Sequence, residues 1–225
     1  MTDFIVRVKH GGLGDHLFFS HIPRAAKFCG YDRVLVSNRN PYRDLAYRNL
    51  VWEMNPYVDG FTDEDAPCPE GFELMDGENL LDATMLRRGV DDGFRYHEPE
   101  VYYAPSTDGS LKDQVVLDPN FVGNAGDGIG FNEVREFAGK RGVTMAMPRR
   151  DKGFETGLPE VETDGSLRRY CEVINSCRRF ICMASGGATL AAALGVPAWV
   201  IHGPAVKGRF LHSRMHVYIP MGGPS

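Results

Sequence analysis

Short apolar runs alternate with helically spaced apolar residues along the chain, and glycine-rich loops separate the two patterns. Strands are predicted over residues 4–8, 34–36, 114–117, 143–147, 178–183 and 198–202. Helices are predicted over residues 16–28, 44–54, 79–89, 132–140, 167–177 and 188–194. Because strands that alternate with helices form parallel sheets, the pattern predicts an α/β fold of two small Rossmann-like lobes. A polar segment over 106–112 separates them, which predicts lobes over 1–108 and 109–225 that face each other across a cleft.

Two of the predicted helices contain features that modify them. Pro23 is expected to kink the helix over 16–28 or to mark a break after a first turn, since proline donates no backbone hydrogen bond. Gly30 is a candidate C-cap of the same helix. The apolar face predicted for the helix over 44–54 consists of Leu45, Leu50, Val51 and Met54. Aromatic rings and guanidinium groups lie on or near this helix, and they either belong to an amphipathic surface helix or contact a polar ligand. They are those of Tyr42, Arg43, Tyr47, Arg48 and Trp52.

The composition is that of an ordinary soluble globular protein. The 225 residues are 43% hydrophobic and 24% charged, with a formal net charge of −5. This acidic balance disfavours a non-specific nucleic-acid binder, which would carry a basic surface. The sequence contains no apolar run long enough to span a membrane and no signal-peptide pattern at its start, so we expect a cytoplasmic protein.

The cysteines and the two C-terminal histidines do not predict a metal site. The five cysteines are Cys29, Cys68, Cys171, Cys177 and Cys182. Their number is odd and none form a C-x-x-C pair, so we expect reduced thiols. His212 and His216 would share a metal only on a helix, whereas the residues that follow them favour a strand.

A glycine-rich loop follows the first predicted strand and ends at a carboxylate. The run from His10 to Asp15 reads H-G-G-L-G-D, which has neither the G-x-G-x-x-G spacing of dinucleotide-binding loops nor the G-K-[ST] of a P-loop. Gly11, Gly12 and Gly14 would bring the backbone close to a ligand. Asp15 is then either a general base at the mouth of a cleft or a plain helix cap, because a helix N-terminus favours a negative charge.

A second loop of this kind lies near the C-terminus, within residues 171–204. The strand over 178–183 runs into Ala184, Ser185, Gly186 and Gly187, and an alanine-rich helix and a second strand follow. In parallel sheets the loop at the N-terminus of such a helix binds anions, because backbone N–H groups and the helix dipole point into it. The loop is either a diphosphate site or a simple glycine-containing turn.

Together the two loops predict group transfer between an activated nucleotide and an acceptor hydroxyl. One loop would hold an anionic donor, and the other would carry the carboxylate base. A dehydrogenase is disfavoured, because the sequence has no dinucleotide fingerprint followed by a ribose-binding acidic residue.

The same two segments resemble motifs of a known family. GGLGDHLFFSHIPRAAK is similar to the N-terminal motif of the ADP-heptose:lipopolysaccharide heptosyltransferases, which are GT-B glycosyltransferases. INSCRRFICMASGGATLAAALGVPAWVIHGP resembles the donor motif of that family, with the strand, the small-residue loop, the helix and the next strand in the same order.

The resemblance implies roles for particular residues. Asp15 would be the catalytic base, in a loop on the acceptor side that consists of Gly11, Gly12, Gly14 and His16. The donor diphosphate would be bound by Ser185, Gly186, Gly187, Ala188, Lys207 and Arg209. The reaction would be a direct, inverting and metal-independent displacement, with a nucleotide-sugar as co-substrate and no cofactor.

The sequence departs from the family pattern in ways that leave alternatives open. Ala184 stands where the family usually has Asp or Asn, Thr189 stands where it usually has His, and residues 118–121 include no basic residue. The chain is also shorter than a usual family member, and a shorter acceptor lobe would change the acceptor, so heptose and lipopolysaccharide are not expected as substrates. The alternatives are another nucleotide-sugar enzyme, such as an epimerase or hydrolase, and a catalytically degenerate binding protein or partner subunit. The expected acceptor is a saccharide, while lipid-linked sugar, protein and modified nucleic acid stay open, as does the oligomeric state.

Overall fold

The computed structural model describes residues 2–64, 66–67, 78–121, 125–150 and 152–223. The chain divides into two compact units, Met1–Tyr103 and Ala104–Ser225. Asp108 accordingly belongs to the second unit: its backbone N–H donates to Ser176 Oγ at 2.8 Å, and Arg169 Nη2 donates to its carboxylate at 2.7 Å. Cys68 lies outside the described residues.

The first unit contains a three-stranded parallel sheet with the order β1-β2-β3. Its strands are β1 (Asp3–Val6), β2 (Arg33–Ser37) and β3 (Gly60–Thr62). Its helices are α1 (Leu13–Leu17), α2 (Ile22–Phe28), α3 (Leu45–Arg48) and α4 (Leu80–Leu86). Fully buried apolar side chains from both kinds of element form its core, among them Val6, Leu17, Val34, Val36, Trp52 and Leu81.

The structure changes the helices predicted in this unit. The segment over 16–28 is two helices, because Pro23 lies in the first turn of α2, where no N–H is needed, and the chain turns between Leu17 and Ile22. Gly30 has a φ of +91° directly after α2, as a C-cap glycine does. The helix predicted over 44–54 becomes α3 followed by a π-helical turn, Asn49–Glu53. The apolar face predicted for it was wrong at Leu45, which is 74% exposed.

The second unit contains a five-stranded parallel sheet with the order β5-β4-β6-β7-β8. Its strands are β4 (Val115–Asp118), β5 (Met145–Ala146), β6 (Arg179–Met183), β7 (Ala198–His202) and β8 (Val217–Pro220). Its helices are α5 (Phe131–Lys140), α6 (Leu167–Ser176) and α7 (Gly186–Ala193). The chain leaves β4 toward β5 on one side and returns to β6 on the other, so the strand order reverses between β4 and β6. Open α/β sheets bind ligands at the carboxyl ends of such a strand pair.

A buried histidine ties the loop after α4 to the core of the first unit. His97 Nδ1 and its backbone N–H lie 2.6 and 2.9 Å from Asp82 Oδ1, and His97 Nε2 lies 3.2 Å from Asp92 Oδ2. These hydrogen bonds, first the one to Asp82, raise the pKa of His97 against the opposing effect of burial. The pKa of neighbouring His21 falls to about 3 because its ring is fully buried. The fold therefore favours a protonated His97 beside a neutral His21.

We expect His97→Asn to destabilise the first unit by about 1.5–3 kcal/mol at pH 6, the cost of charged hydrogen bonds in a buried site. A raised folded-state pKa means that this contribution is complete below the unfolded value of 6.5 and is lost as pH rises through the folded value. The difference between wild type and variant should thus shrink toward pH 9. The measurement is urea unfolding by Trp52 fluorescence in a Trp199→Phe background, with exposed His10→Asn as the control. A difference that grows with pH would contradict it.

Candidate functional site

In the first unit, Asp15 lies at the carboxyl edge of the sheet, in the first turn of α1. Its Oδ2 accepts a hydrogen bond from the Gly12 backbone N–H at 2.9 Å, which caps the helix. The side chain is half-buried, and no described residue donates a hydrogen bond to its other oxygen. One carboxylate oxygen therefore stabilises α1 and the other is open to a ligand, so the capping role does not exclude a catalytic one.

The glycines before Asp15 allow a close approach between two backbone segments. The Arg43 N–H donates to Gly11 O at 2.9 Å, and a Cβ on Gly11 would lie 3.1 Å from Pro41 O, so a larger residue would push the segments apart. A Cβ on Gly12 would lie 2.7 Å from Asp15 Oδ2 and 3.7 Å from Arg43 Nη1. The Arg43 guanidinium and the Asp15 carboxylate, both among the described residues, therefore lie on the same side of Gly12, near each other but without an ion pair. Gly14 is half-buried within α1.

His16 follows Asp15 but lies beneath the loop rather than at its surface. It is fully buried, and both ring nitrogens have protein partners: Trp52 Nε1 lies 3.1 Å from Nδ1, and Pro41 O lies 2.9 Å from Nε2. Its ring stacks on that of Tyr42 with 4.5 Å between centroids. The structure therefore gives His16 no direct route to a ligand, although the sequence motif includes it in the acceptor-side loop.

In the second unit, α7 starts directly after β6 with the small residues that the sequence singles out. Ser185 is the N-cap residue in an extended conformation, and Gly186, Gly187 and Ala188 form the first turn of α7. The Ser185 carbonyl accepts from the Ala188 N–H at 3.0 Å. Among the described residues, no acceptor faces the N–H groups of Gly186 and Gly187, which are two of the orphan donors of a helix N-terminus. This turn is therefore suited to an anion.

A buried carboxylate, which the sequence analysis missed, adjoins this turn. Asp118 ends β4, and its Oδ1 accepts from the backbone and side-chain nitrogens of Asn120 at 3.0 and 2.7 Å, while its Oδ2 accepts from the Tyr170 hydroxyl. Burial raises the pKa of Asp118 although these hydrogen bonds oppose it. The sequence signal that could have identified Asp118 is its position at the end of a buried strand. The carboxyl ends of β4 and β6 are adjacent, and ligands of open α/β sheets bind at such strand ends.

Gly187 is the point where α7 touches this pair. A Cβ there would overlap the Tyr170 hydroxyl and would lie 3.2 Å from Asp118 Oδ2. The second glycine of the loop is therefore required by protein packing as well as by any ligand.

The Arg150 guanidinium reaches this part of the second unit from the loop after β5. Residues 118–121 include no basic residue, but the loop after β5 brings the backbone N–H of Arg150 to 2.7 Å from Asn120 Oδ1, and the exposed Arg150 side chain opposes the rise in the pKa of Asp118. Lys207 is the N-cap residue of a short 3₁₀ turn, Gly208–Phe210, which contains Arg209. Arg209 Cζ lies 5.1 Å from the centroid of the Phe210 ring. The sequence analysis did not single out the loop of Arg150.

The two C-terminal histidines support α7. His216 Nε2 lies 2.8 Å from Ala188 O, and its Nδ1 accepts from the Ala198 N–H at 3.1 Å. His212 Nε2 lies 3.4 Å from Thr189 Oγ1, and burial lowers the pKa of His212 to about 3. Both rings are therefore part of the packing around the first turn of α7. Within the described ranges, no three His, Cys, Asp or Glu side chains form a group that could hold a metal ion, and no helix is long and apolar enough to cross a membrane.

Comparison with known proteins places this fold. No protein-family model and no curated protein sequence matches the chain. The iron-containing dodecameric glycosyltransferase TibC of enterotoxigenic E. coli superposes with a TM-score of 0.65 at 16% identity, over 96% of this chain and 62% of that one. The glycosyl transferase family 9 protein of Veillonella parvula superposes with a TM-score of 0.62 at 11% identity, over 98% of this chain and 86% of that one. E. coli ADP-heptose lipopolysaccharide heptosyltransferase II superposes with a TM-score of 0.62 at 12% identity, over 97% of this chain and 90% of that one.

These matches establish the fold. The chain has the α/β fold of the heptosyltransferases and related glycosyltransferases, with a parallel sheet in each unit, and the family resemblance of the sequence motifs is confirmed at that level. The chain spans less than two thirds of the length of TibC, at 62%. A further TibC structure contains ADP-D-β-D-heptose.

The contact between Gly187 and Tyr170 gives a stability prediction. We expect Gly187→Ala to destabilise the protein by about 1–3 kcal/mol, because the new methyl group overlaps the buried hydroxyl. In a Tyr170→Phe background, which lacks that oxygen, the same substitution should cost less. Calorimetric unfolding of the four proteins of this cycle measures the difference. Gly139→Ala, in open space on α5, is the control and should be neutral or stabilising. An equal cost in both backgrounds would refute the contact.

Proposed function

We propose that the protein is a glycosyltransferase that moves a sugar from a nucleotide-sugar donor to an acceptor hydroxyl. The observation that carries this proposal is Asp15. In a fold shared with glycosyltransferases, its carboxylate lies in the first turn of α1, directly after the glycine loop that follows β1, with one oxygen held by Gly12 and the other open. A general base needs this combination of a fixed position and an unoccupied oxygen.

The donor site of this proposal is the first turn of α7. The N–H groups of Gly186 and Gly187 and the helix dipole would bind the diphosphate, with Ser185 and Ala188 bordering it. Arg150, Lys207 and Arg209 are the cations proposed to compensate its charge. The complex of TibC with ADP-D-β-D-heptose supports a nucleoside diphosphate as the donor class, without indicating the sugar.

The proposed reaction is a single inverting displacement. Asp15 takes the proton of the acceptor hydroxyl, the acceptor oxygen forms a bond to the anomeric carbon from the face opposite the leaving group, and the bond from that carbon to the diphosphate oxygen breaks. The nucleoside diphosphate carries away the electron pair and the negative charge, which the N–H groups and cations stabilise. The atoms and charges of this proposed step balance without a redox partner, a cofactor or a metal ion. A saccharide acceptor and a cytoplasmic location remain parts of the proposal.

A second candidate function is a nucleotide- or sugar-binding protein without transfer activity. It is favoured by Thr189, whose hydroxyl pairs with buried His212 inside the unit, and by Ala184, which offers no polar side chain to a donor. The two candidates share donor binding and differ in the consequence of changing Asp15.

A binding screen with UDP-, GDP-, ADP-, dTDP- and CMP-sugars tests both candidates together. A ligand at about a hundredfold excess over its Kd stabilises the protein by about 2.7 kcal/mol, which a thermal-shift assay detects. Absence of a shift with every one of these donors would contradict the proposed function and the second candidate alike.

With a binding donor and an acceptor in hand, we expect Asp15→Asn to retain donor affinity and to lose transfer by about 10²–10⁴-fold. An asparagine oxygen still accepts from the Gly12 N–H, so the helix cap is preserved while the basicity is lost. The matched control is Asp44→Asn, which keeps an equivalent cap on the Ala46 N–H of α3 and should transfer normally. Transfer by Asp15→Asn at near the wild-type rate would remove Asp15 from the role of base.

A further inference from the structure

We infer that His16 is a positioning residue for the transfer step, which holds the Pro41–Arg43 segment against the loop of Asp15. The inference rests on the proposed function, because it assigns His16 an effect on catalysis that passes through Asp15 and Arg43. His16 itself does not contact substrate in this proposal.

The contacts of His16 connect three parts of the first unit. The ring belongs to α1, the helix that carries Asp15. Its Nε2 lies 2.9 Å from Pro41 O, and its face stacks on Tyr42 with an interplanar angle of 5°. Two residues further on, the Arg43 N–H donates to Gly11 O at 2.9 Å. The segment is thereby hydrogen-bonded both to α1, through the His16 ring, and to the glycine loop, through Gly11 O.

The consequence for the site concerns the Arg43 guanidinium. Arg43 Nη1 and Asp15 Oδ2 lie 3.7 and 2.7 Å from the same point, the position that a Cβ on Gly12 would occupy. Arg43 is exposed, so the region that its guanidinium can reach depends on where the backbone of this segment lies. A shift of the Pro41–Arg43 segment would therefore move a positive charge relative to the carboxylate that takes the proton.

The hydrogen bonds of His16 permit only one protonation state. The indole Nε1 of Trp52 is a donor and cannot accept, so Nδ1 of His16 must be the unprotonated nitrogen and Nε2–H must donate to Pro41 O. Burial lowers the pKa of His16, with smaller opposing effects from Pro41 and Asp15. The ring is thus neutral, in the Nε2–H tautomer, and adds no charge next to Asp15.

The π-helical turn Asn49–Glu53 presents Trp52 to this ring. Trp52 is fully buried, with its ring centroid 6.0 Å from that of His16 at an interplanar angle of 75°. Isolated π-helical turns are rare and frequently occur at functional sites. Arg48, just before the turn, and Glu53, its last residue, pair with each other, since Arg48 Nε donates to Glu53 Oε1 at 3.0 Å. Among the described residues, the charged group that acts on the His16 ring is Asp15, on its own helix.

Two substitutions of His16 separate its hydrogen bonds. His16→Gln keeps a donor near the Nε2 position for Pro41 O, whereas His16→Asn keeps an acceptor near the Nδ1 position for Trp52 and loses the bond to Pro41. We expect His16→Asn to lower kcat by about 10–100-fold with the donor KM within about twofold, and His16→Gln to stay within about threefold of wild type, since small displacements of positioning groups are costly.

The control for a merely structural role is His97→Asn. His97 is another buried, hydrogen-bonded histidine of the same unit, and its loss should lower stability without lowering kcat per folded molecule. Equal losses of kcat in His16→Asn and His97→Asn, or a normal kcat in His16→Asn, would overturn the inference. A wild-type protein that transfers no sugar would instead contradict the proposed function.

A spectroscopic measurement tests the mechanism without activity. The ¹⁵N shifts of the His16 ring should show the neutral Nε2–H tautomer, without protonation as the pH falls through the ordinary histidine pKa of 6.5, because burial lowers the pKa of this ring. In Trp52→Phe, which lacks the donor to Nδ1, we expect the tautomer preference to weaken and kcat to fall. A titrating His16 in the wild type, or Trp52→Phe with an unchanged tautomer and unchanged kcat, would overturn the inference even if the protein is a glycosyltransferase.

Discussion

Parallel strand pairing is the constraint on which the rest of this structure depends. Every strand in both sheets runs in the same direction as its neighbours, so each connection crosses over and each strand-to-helix loop lies at the same edge. In the first unit this places Gly11, Gly12 and Asp15 at the carboxyl end of β1. In the second it places Asp118 beside the first turn of α7. Functional side chains from distant parts of the sequence therefore lie close together at these edges as a direct result of parallel strand pairing.

The alternation of strands and helices and both glycine loops could be predicted from the sequence because they are written in local patterns. Periodicity and glycine position indicate β6, α7 and β7 nearly to the residue. The break before Pro23 was predictable for the same reason, since the missing N–H of a proline is a local property. The family resemblance rested on these segments, and comparison of structures supports it as a likeness of fold.

Contacts between distant residues could not be predicted in this way. The pairing of Tyr170 with Asp118 joins positions 52 residues apart, and the bond from Trp52 to His16 joins positions 36 apart. Neither has a spacing that a pattern search would find. At Leu45 a local pattern was present but misleading. Its apolar side chain fitted a helical face, but the change from α3 to a π-helical turn leaves it exposed. Tertiary packing decided which of the apolar positions were buried.

The π-helical turn also makes the structure of the first unit depend on the number of residues in this segment. Each residue added to or removed from a helix rotates everything beyond it by about 100°. Deletion of one residue within Asn49–Glu53 would therefore convert the turn to regular α-helix and swing the indole of Trp52 away from His16. In this segment a related sequence can change the identity of many residues, but it cannot change their number without giving up the connection between the buried core and the edge of the sheet.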